Sequence, residues 1–194
     1  MNKSRLEAFS DGVFAIIITI MVLELKVPHG ADLAAVAPLL PVGLSYVMSF
    51  VYVGIYWNNH HHLLHAAKHA TGAMLWANLH LLFWLSLVPF ATGWFGENHG
   101  EALPCAFYGV LLFMSGIAYL VLQREILKQY EEDSDIARTF RVDVKGKISA
   151  VAYLTAIALS FVQVRAATGI YVLIALMWLI PDRRIEKHLT PRPE

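Results

Sequence analysis

Residues 5–23 read RLEAFSDGVFAIIITIMVL. The centre of this stretch, from Gly12 to Leu23, holds no charged residue, whereas Asp11 precedes it and Glu24 follows it. The apolar centre predicts a membrane helix. The charges at its two ends predict that this helix packs against other helices rather than against lipid alone.

Helical spacing places five residues of this stretch on one face. Residues separated by three, four or seven positions lie on the same side of an α-helix. The residues related in this way are Gly12, Ile16, Thr19, Ile20 and Leu23. This face has a glycine at its N-terminal end and mainly apolar side chains beyond it.

Arg5 and Asp11 lie near the start of the apolar run. An ionisable residue at a membrane span is a candidate functional group. The alternative is structural: Arg5 lies at the membrane interface, and Ser10 or Asp11 caps the helix N-terminus. The residues alone leave both interpretations open.

The composition is that of a membrane protein. Hydrophobic types make up 57% of the 194 residues and charged types 15%, against about 25% charged residues in an average soluble domain. This balance excludes a disordered chain, a disulfide scaffold and an ordinary cytosolic enzyme. The net charge is zero, so nothing in it indicates nucleic-acid binding.

Three further stretches are long enough to cross a bilayer, which takes about 20 mostly apolar residues. No Asp, Glu, Lys or Arg occurs in the 35 residues after Asp32, the 28 after Lys68 or the 22 after Glu101. The last apolar region, between Lys147 and Asp182, is interrupted only by Arg165. It predicts two short helices joined by a tight turn, with Arg165 at the interface. The alternative is one long helix with a buried arginine.

The sequence therefore predicts an all-α membrane protein with a single six-helix domain over residues 1–194. The approximate spans are 9–27, 39–62, 72–95, 103–123, 148–164 and 166–181. Six spans place thirteen Lys and Arg residues on one side and only Lys26 and Arg165 on the other. The positive-inside rule then predicts a multi-pass protein of the inner (plasma) membrane with both termini cytoplasmic.

The motif Arg5-x-x-x-Phe9-Ser10-Asp11, followed by GVFAI at 12–16, resembles the signature of the endosomal/lysosomal transmembrane potassium channel family (transmembrane protein 175 and its prokaryotic relatives). Residues 57–62 (WNNHHH), 78–79 (NL) and 87–90 (LVPF) resemble further family positions. The resemblance covers the first three spans well and the last three only in hydropathy.

The resemblance implies a potassium channel that is a homotetramer of single-repeat chains, in which the first helix of each chain lines a central pore. It assigns Ile16 to the narrowest apolar ring, and Thr19, Ile20 and Leu23 to the pore wall beyond it. The permeant ion is potassium, no cofactor or metal is expected, and the protein is not an enzyme.

The resemblance also implies a polar network that braces the pore helix. Its members on the first helix are Arg5, Phe9, Ser10 and Asp11. Its partners come from the second and third helices, where histidine and tryptophan are the types used. Among His60, His61 and His80, the sequence does not single out one partner; we expect His61 and His80, together with Trp84.

No Thr-Val-Gly-Tyr-Gly stretch is present, so a carbonyl selectivity filter of the usual kind is not expected. A narrow ring of Ile16 side chains would be dry and would gate by dewetting. Potassium gives up its water more readily than sodium, so this mechanism predicts modest selectivity for potassium. Thr19 either offers its hydroxyl to the ion or bonds back to its own helix.

Two other functions stay open. A secondary transporter of a cation would show paired repeats with helices broken at the midplane, and Pro89 is one candidate for such a break. A metal-binding membrane protein would use the histidines between His60 and His69, of which His61, His65 and His69 share a helix face.

Overall fold

The structure is a computed structural model, which describes residues 2–131 and 143–179. The described residues form helices and no strand. The helices are α1 (Lys3–Leu23), α2 (Leu33–Val36), a 3-10 turn (Ala37–Leu39), α3 (Leu40–Ala66), α4 (Gly72–Ser86), α5 (Val88–Glu97), α6 (Ala102–Leu127), α7 (Val144–Ser160) and α8 (Val164–Leu179).

Helix α1 begins six residues before the expected start at residue 9 and ends at Leu23 rather than at residue 27. The side chain of Asn2 accepts a hydrogen bond from the backbone N–H of Ser4 and caps the helix. The interpretation of Ser10 or Asp11 as the cap is therefore wrong, because both lie two turns inside the helix. Pro28 disfavours a helical conformation at the residue before it, which fits the earlier C-terminal end.

The expected span 72–95 consists of two helices, α4 and α5, which meet at Leu87. Pro89 lies in the first turn of α5, where its missing N–H breaks the helical ladder. The backbone N–H of Leu87 still bonds to the Trp84 carbonyl, and that of Ala91 bonds to the Leu87 carbonyl. These two bonds connect α4 directly to α5 across Leu87.

The C-terminal part of the described chain is two short helices, as the position of Arg165 predicts. A turn at 161–163 joins α7 to α8, and the N–H of Gln163 bonds to the Leu159 carbonyl at 2.7 Å. Arg165 is exposed in the first turn of α8. The alternative of one long helix with a buried arginine is wrong.

Four helical segments of the described chain are long and apolar enough to cross a membrane: Lys3–Leu23, Leu33–Ala66, Gly72–Glu97 and Ala102–Leu127. Helix α8 is apolar but has only 16 residues, and α7 has 17. Both are shorter than the roughly 20 residues that a perpendicular span takes. The expected limits 148–164 and 166–181 lie a few residues later than these helices, and residues 180–181 are outside the described chain.

Helix α6 is the centre of the bundle. Buried side chains occur along its whole length, from Cys105 through Leu112 and Ala118 to Ile126. Helices α3, α4, α5, α7 and α8 pack around it. Helix α1 packs instead on α3, α4 and α5, at the edge of the bundle, and this position leaves one of its sides open.

Gly109 on α6 is required by the close approach of α8. A Cβ at this position would lie 2.8 Å from Cζ of Tyr171 and 2.9 Å from Cγ1 of Ile157. Both distances are shorter than real Cβ contacts, so Tyr171 would have to move. At Gly116 on the same helix, the hydroxyl of Tyr56 would lie 3.8 Å from the Cβ, which is ordinary contact.

We therefore expect Gly109→Ala to lower the free energy of unfolding by about 1–3 kcal/mol through overpacking. The matched variant Gly116→Ala should be neutral, or more stable by up to about 1 kcal/mol, because alanine favours the helix. Thermal unfolding of the purified protein in detergent measures both. Equal midpoints for the two variants would contradict this account of the α6–α8 contact.

Candidate functional site

Helix α1 has a buried side and an exposed side. The buried residues follow one another at helical spacing: Leu6, Ser10, Phe14, Ile17 and Met21. They pack into the core made by α3, α4 and α5. Ser10 is the one polar member of this set, and it is completely buried.

The face that the sequence singles out lies on the exposed side. Ile16 is 57% exposed, Ile20 41% and Leu23 80%, and Thr19 is exposed as well. Nothing lies within 4 Å of a Cβ built at Gly12. These five residues, which we call the α1 stripe, form an uncovered and largely apolar strip along the helix.

The Thr19 hydroxyl is bonded within its own helix. It donates to the Ile16 carbonyl at 2.9 Å. The sequence leaves open whether this hydroxyl is offered to the ion or bonds back to its own helix, and in the structure it bonds back to the helix. The oxygen of Thr19 keeps its lone pairs when its proton is donated, so it remains able to accept a hydrogen bond or to contact a cation.

A buried chain of hydrogen bonds ties α1 to α4 and α3. Nδ2 of Asn78 donates to Oγ of Ser10 at 3.0 Å, and Ser10 donates to the Leu6 carbonyl at 2.9 Å. Nε2 of His60 lies 2.7 Å from Oδ1 of Asn78 and donates to it, since the amide nitrogen is directed at Ser10. The His60 ring packs against Phe14 with 5.4 Å between ring centroids. Ser10, Asn78 and His60 are at most 1% exposed.

Asp11, the neighbour of Ser10, ties α1 to α3 at the surface. The indole N–H of Trp57 donates to Oδ1 of Asp11 at 2.9 Å. Ser10 and Asp11 project in directions about 100° apart on the helix. Their two bonds therefore hold α1 from different sides and fix its rotation.

The structure differs from the expected network in its other members. His61 is exposed and does not reach Ser10; its ring lies against Trp57 and His65. His80 accepts a hydrogen bond from the indole of Trp84 at 3.0 Å, within α4, and this pair does not bond to α1. The partner of Asn78 is His60, because His60 lies seven residues after the buried Val53 and shares its side of α3.

Arg5 and Phe9 are both exposed. Among the described residues, the Arg5 side chain takes part in no ion pair. The side chains of α1 that are bonded to other helices in this network are those of Ser10 and Asp11.

Sequence reasoning missed a second polar cluster behind α1. Thr92 of α5 lies with its hydroxyl 2.7 Å from that of Ser49, which is 2.9 Å from the hydroxyl of Tyr108. All three residues are buried, and Thr92 also contacts the sulfur of Met21 on α1. The spacing of Ser45, Ser49 and Tyr52 on one face of α3 was the available signal.

Beyond α1, Lys26 anchors the chain to the end of α5. Its ammonium lies 2.6 Å from Oε1 of Glu97, and both side chains are exposed. The hydrogen bond to Glu97 raises the pKa of the Lys26 ammonium above its ordinary value. The partner of Lys26 is thus Glu97, from a distant part of the chain, and not the neighbouring Glu24.

We expect Asn78→Ala to lower the free energy of unfolding by about 2–4 kcal/mol. It leaves the His60 N–H without its acceptor and removes the tie to Ser10, and a buried unsatisfied group costs about 1–3 kcal/mol. Asn98→Ala is the control, because Asn98 is exposed and its side chain bonds only to the Trp94 carbonyl of its own helix; it should change stability by less than about 0.5 kcal/mol. Comparable thermal midpoints in detergent for the two variants would show that the buried hydrogen bonds of Asn78 contribute little to stability.

Comparison with known proteins places these features in a family. The model of the endosomal/lysosomal potassium channel TMEM175 family matches residues 5–89, which run from the first turn of α1 through α2, α3 and α4 to the start of α5. A potassium channel from a Chryseobacterium species is 56% identical over 189 residues, which cover 97% of this chain and 98% of that protein. A potassium channel from Streptomyces collinus is 29% identical over 192 residues and covers 92% of each chain.

A solved structure has the same fold. The crystal structure of a lysosomal potassium-selective channel TMEM175 homolog from Chamaesiphon minutus superposes with a TM-score of 0.77 and 28% sequence identity. The match covers 94% of this chain and 97% of that one. The resemblance carried by the Arg5–Ile16 motif is therefore confirmed, and this chain belongs to the family of the endosomal/lysosomal potassium channel TMEM175.

Proposed function

We propose that this protein is a potassium channel and that the α1 stripe lines its pore. The observation that carries the proposal is the contrast between the two sides of α1. One side is held by buried hydrogen bonds at Ser10, while the other side is uncovered from Gly12 to Leu23. The potassium channels from Chryseobacterium and Streptomyces, which match nearly the whole chain, support the same function.

A pore of this kind requires several copies of the chain. The stripe is one side of one helix, so a single chain cannot enclose a path for an ion. Homo-oligomers usually have closed symmetry, and a closed ring of identical subunits can enclose a path along its axis. The family resemblance favours four copies, and in a homotetramer the four Ile16 side chains would meet around the axis.

The exposed side chains of the stripe support selection by dehydration. Ile16 and Ile20 offer only hydrocarbon, and such constrictions close by dewetting. An ion that passes a dilated ring has to give up part of its hydration shell, and potassium loses less than sodium in doing so. The Thr19 oxygen, whose proton is bonded to the Ile16 carbonyl, can replace part of the lost water through its lone pairs. We therefore propose modest selectivity for potassium over sodium.

The charge distribution supports a placement in the bacterial inner (plasma) membrane with both termini cytoplasmic. The side assigned to the cytoplasm holds thirteen of the fifteen Lys and Arg residues. In this orientation the ties at Ser10 and Asp11 lie near the cytoplasmic end of α1, and the Lys26–Glu97 pair lies near the outer end. The proposed activity uses the permeant ion, the lipid bilayer and the other subunits, and it calls for no cofactor, metal or nucleic acid and no enzymatic step.

Flux through liposomes tests the function. We expect the purified protein to pass potassium faster than sodium down matched gradients. Ile16→Asn should raise both fluxes by about tenfold or more, because a polar side chain wets the constriction, and should reduce the preference for potassium. An unchanged flux and ion preference in Ile16→Asn would remove Ile16 from the pore.

The matched control is Leu154→Asn on α7. Leu154 is 53% exposed, close to the value for Ile16, but lies on a helix that we do not place at the pore. This variant should conduct like the parent protein. Flux that saturates and is coupled to a second ion would contradict a channel and identify a transporter, and the absence of flux from both the parent and Ile16→Asn would contradict conduction through α1.

A further inference from the structure

We propose that His61 and His65 form a binding site for a divalent transition-metal ion on the exposed face of α3. The two residues are one helical turn apart, and both side chains are exposed. The site is separate from the buried hydrogen bonds of His60, and it does not depend on ion conduction by the α1 stripe.

The two imidazoles are already arranged side by side. Their ring centroids are 6.3 Å apart, and the ring planes differ by only 19°. Two histidines at i and i+4 on one helix are the arrangement with which zinc-protease helices bind their metal. A metal ion placed between the rings could therefore take one nitrogen from each after small side-chain rotations and without a change in the helix.

The donor set determines the class of ion. Imidazole binds Zn²⁺, Ni²⁺ and Cu²⁺, whereas Ca²⁺ and Mg²⁺ prefer oxygen. No group of three or more His, Cys, Asp or Glu residues in the described chain could hold a metal. With two protein ligands, the remaining positions belong to water, so the bound ion is exchangeable and not a structural ion of the four-ligand kind. The affinity should follow the order Cu²⁺ above Ni²⁺ and Zn²⁺.

The charges around the pair do not prevent cation binding. The Lys3 ammonium lies 2.8 Å from the backbone carbonyl of His65, and Oε1 of Glu7 lies 3.9 Å from that ammonium. The carboxylate offsets the lysine charge. The His62 ring lies 5.5 Å from that of His61, and we do not count it as a ligand.

The site lies next to the hydrogen bond between Trp57 and Asp11 that joins α3 to α1 at the surface. The His61 ring lies 6.5 Å from the ring of Trp57, which holds Asp11. A bound Cu²⁺ or Ni²⁺ would therefore lie close enough to Trp57 to quench its fluorescence. This contact gives a readout of binding that requires no flux measurement.

The experiment is a titration of tag-free protein in detergent with Cu²⁺ and with Ni²⁺, followed by tryptophan fluorescence and by calorimetry. We expect saturable quenching and heat with either ion, and no saturable response to Ca²⁺ or Mg²⁺. His61→Gln and His65→Gln should each weaken binding by at least about tenfold, since even the loss of an outer-sphere partner costs that much. Trp57→Phe should lose most of the quenching while it keeps the calorimetric affinity.

His99→Gln is the control for general histidine binding, because His99 is exposed in the turn between α5 and α6. It should bind the metals like the parent protein. The proposal is overturned if the parent shows no saturable binding below about 1 mM, if the double variant His61→Gln, His65→Gln keeps the parental affinity, or if His99→Gln weakens binding as much as the two α3 variants do.

Discussion

The buried bonds from Asn78 to Ser10 and from His60 to Asn78 fix the rotation of α1, and the rest of the proposed site depends on this rotation. Seven residues make about two helical turns, so Ile17 returns to the inner side below Ser10. Ile16, one position earlier, is rotated away by about 100° and lies on the outer side. A different rotation of α1 would exchange these two isoleucines.

Polar bonds are the appropriate means of fixing a rotation inside a membrane. Lipid chains are as apolar as the side chains of α1, so the hydrophobic effect does not distinguish one apolar face from another. A serine in such a helix gains by meeting a partner and loses by facing hydrocarbon. Ser10 is the one polar residue on the inner side of α1, and Asn78 meets it there. The Trp57–Asp11 bond holds α1 from a second side.

Much of this arrangement follows from the sequence because it depends on local properties. The length of the uncharged stretches predicts the long helices, Arg165 predicts the break between α7 and α8, and the period of α1 predicts which residues share the outer face. The helix cap at Asn2 is also local. One asparagine is only a weak signal for the start of a helix, however, and the apolar run starts only at Phe9.

Which histidine bonds to Asn78 could not be predicted in this way. His60 and His61 are adjacent and chemically the same, and the one that faces inward is decided by how α3 packs on α1 and α4. The role of Trp57 has the same origin, since an interfacial tryptophan is the ordinary expectation for this position in a membrane helix. The bond between Lys26 and Glu97 joins residues 71 positions apart. Contacts of this kind depend on the assembled fold.

We propose that the exposed side of α1 faces the path of the ion. Cys105 is the one cysteine of the chain, so a Cys105→Ala background allows single cysteines to be placed at will. The most direct measurement is the block of potassium flux by Ag⁺ in this background with Ile16→Cys, compared with Val151→Cys, which is 67% exposed on α7. We expect Ag⁺ to stop flux through the Ile16→Cys protein and to leave the Val151→Cys protein unaffected. Flux through Ile16→Cys that persists in Ag⁺ would show that Ile16 does not face the path of the ion.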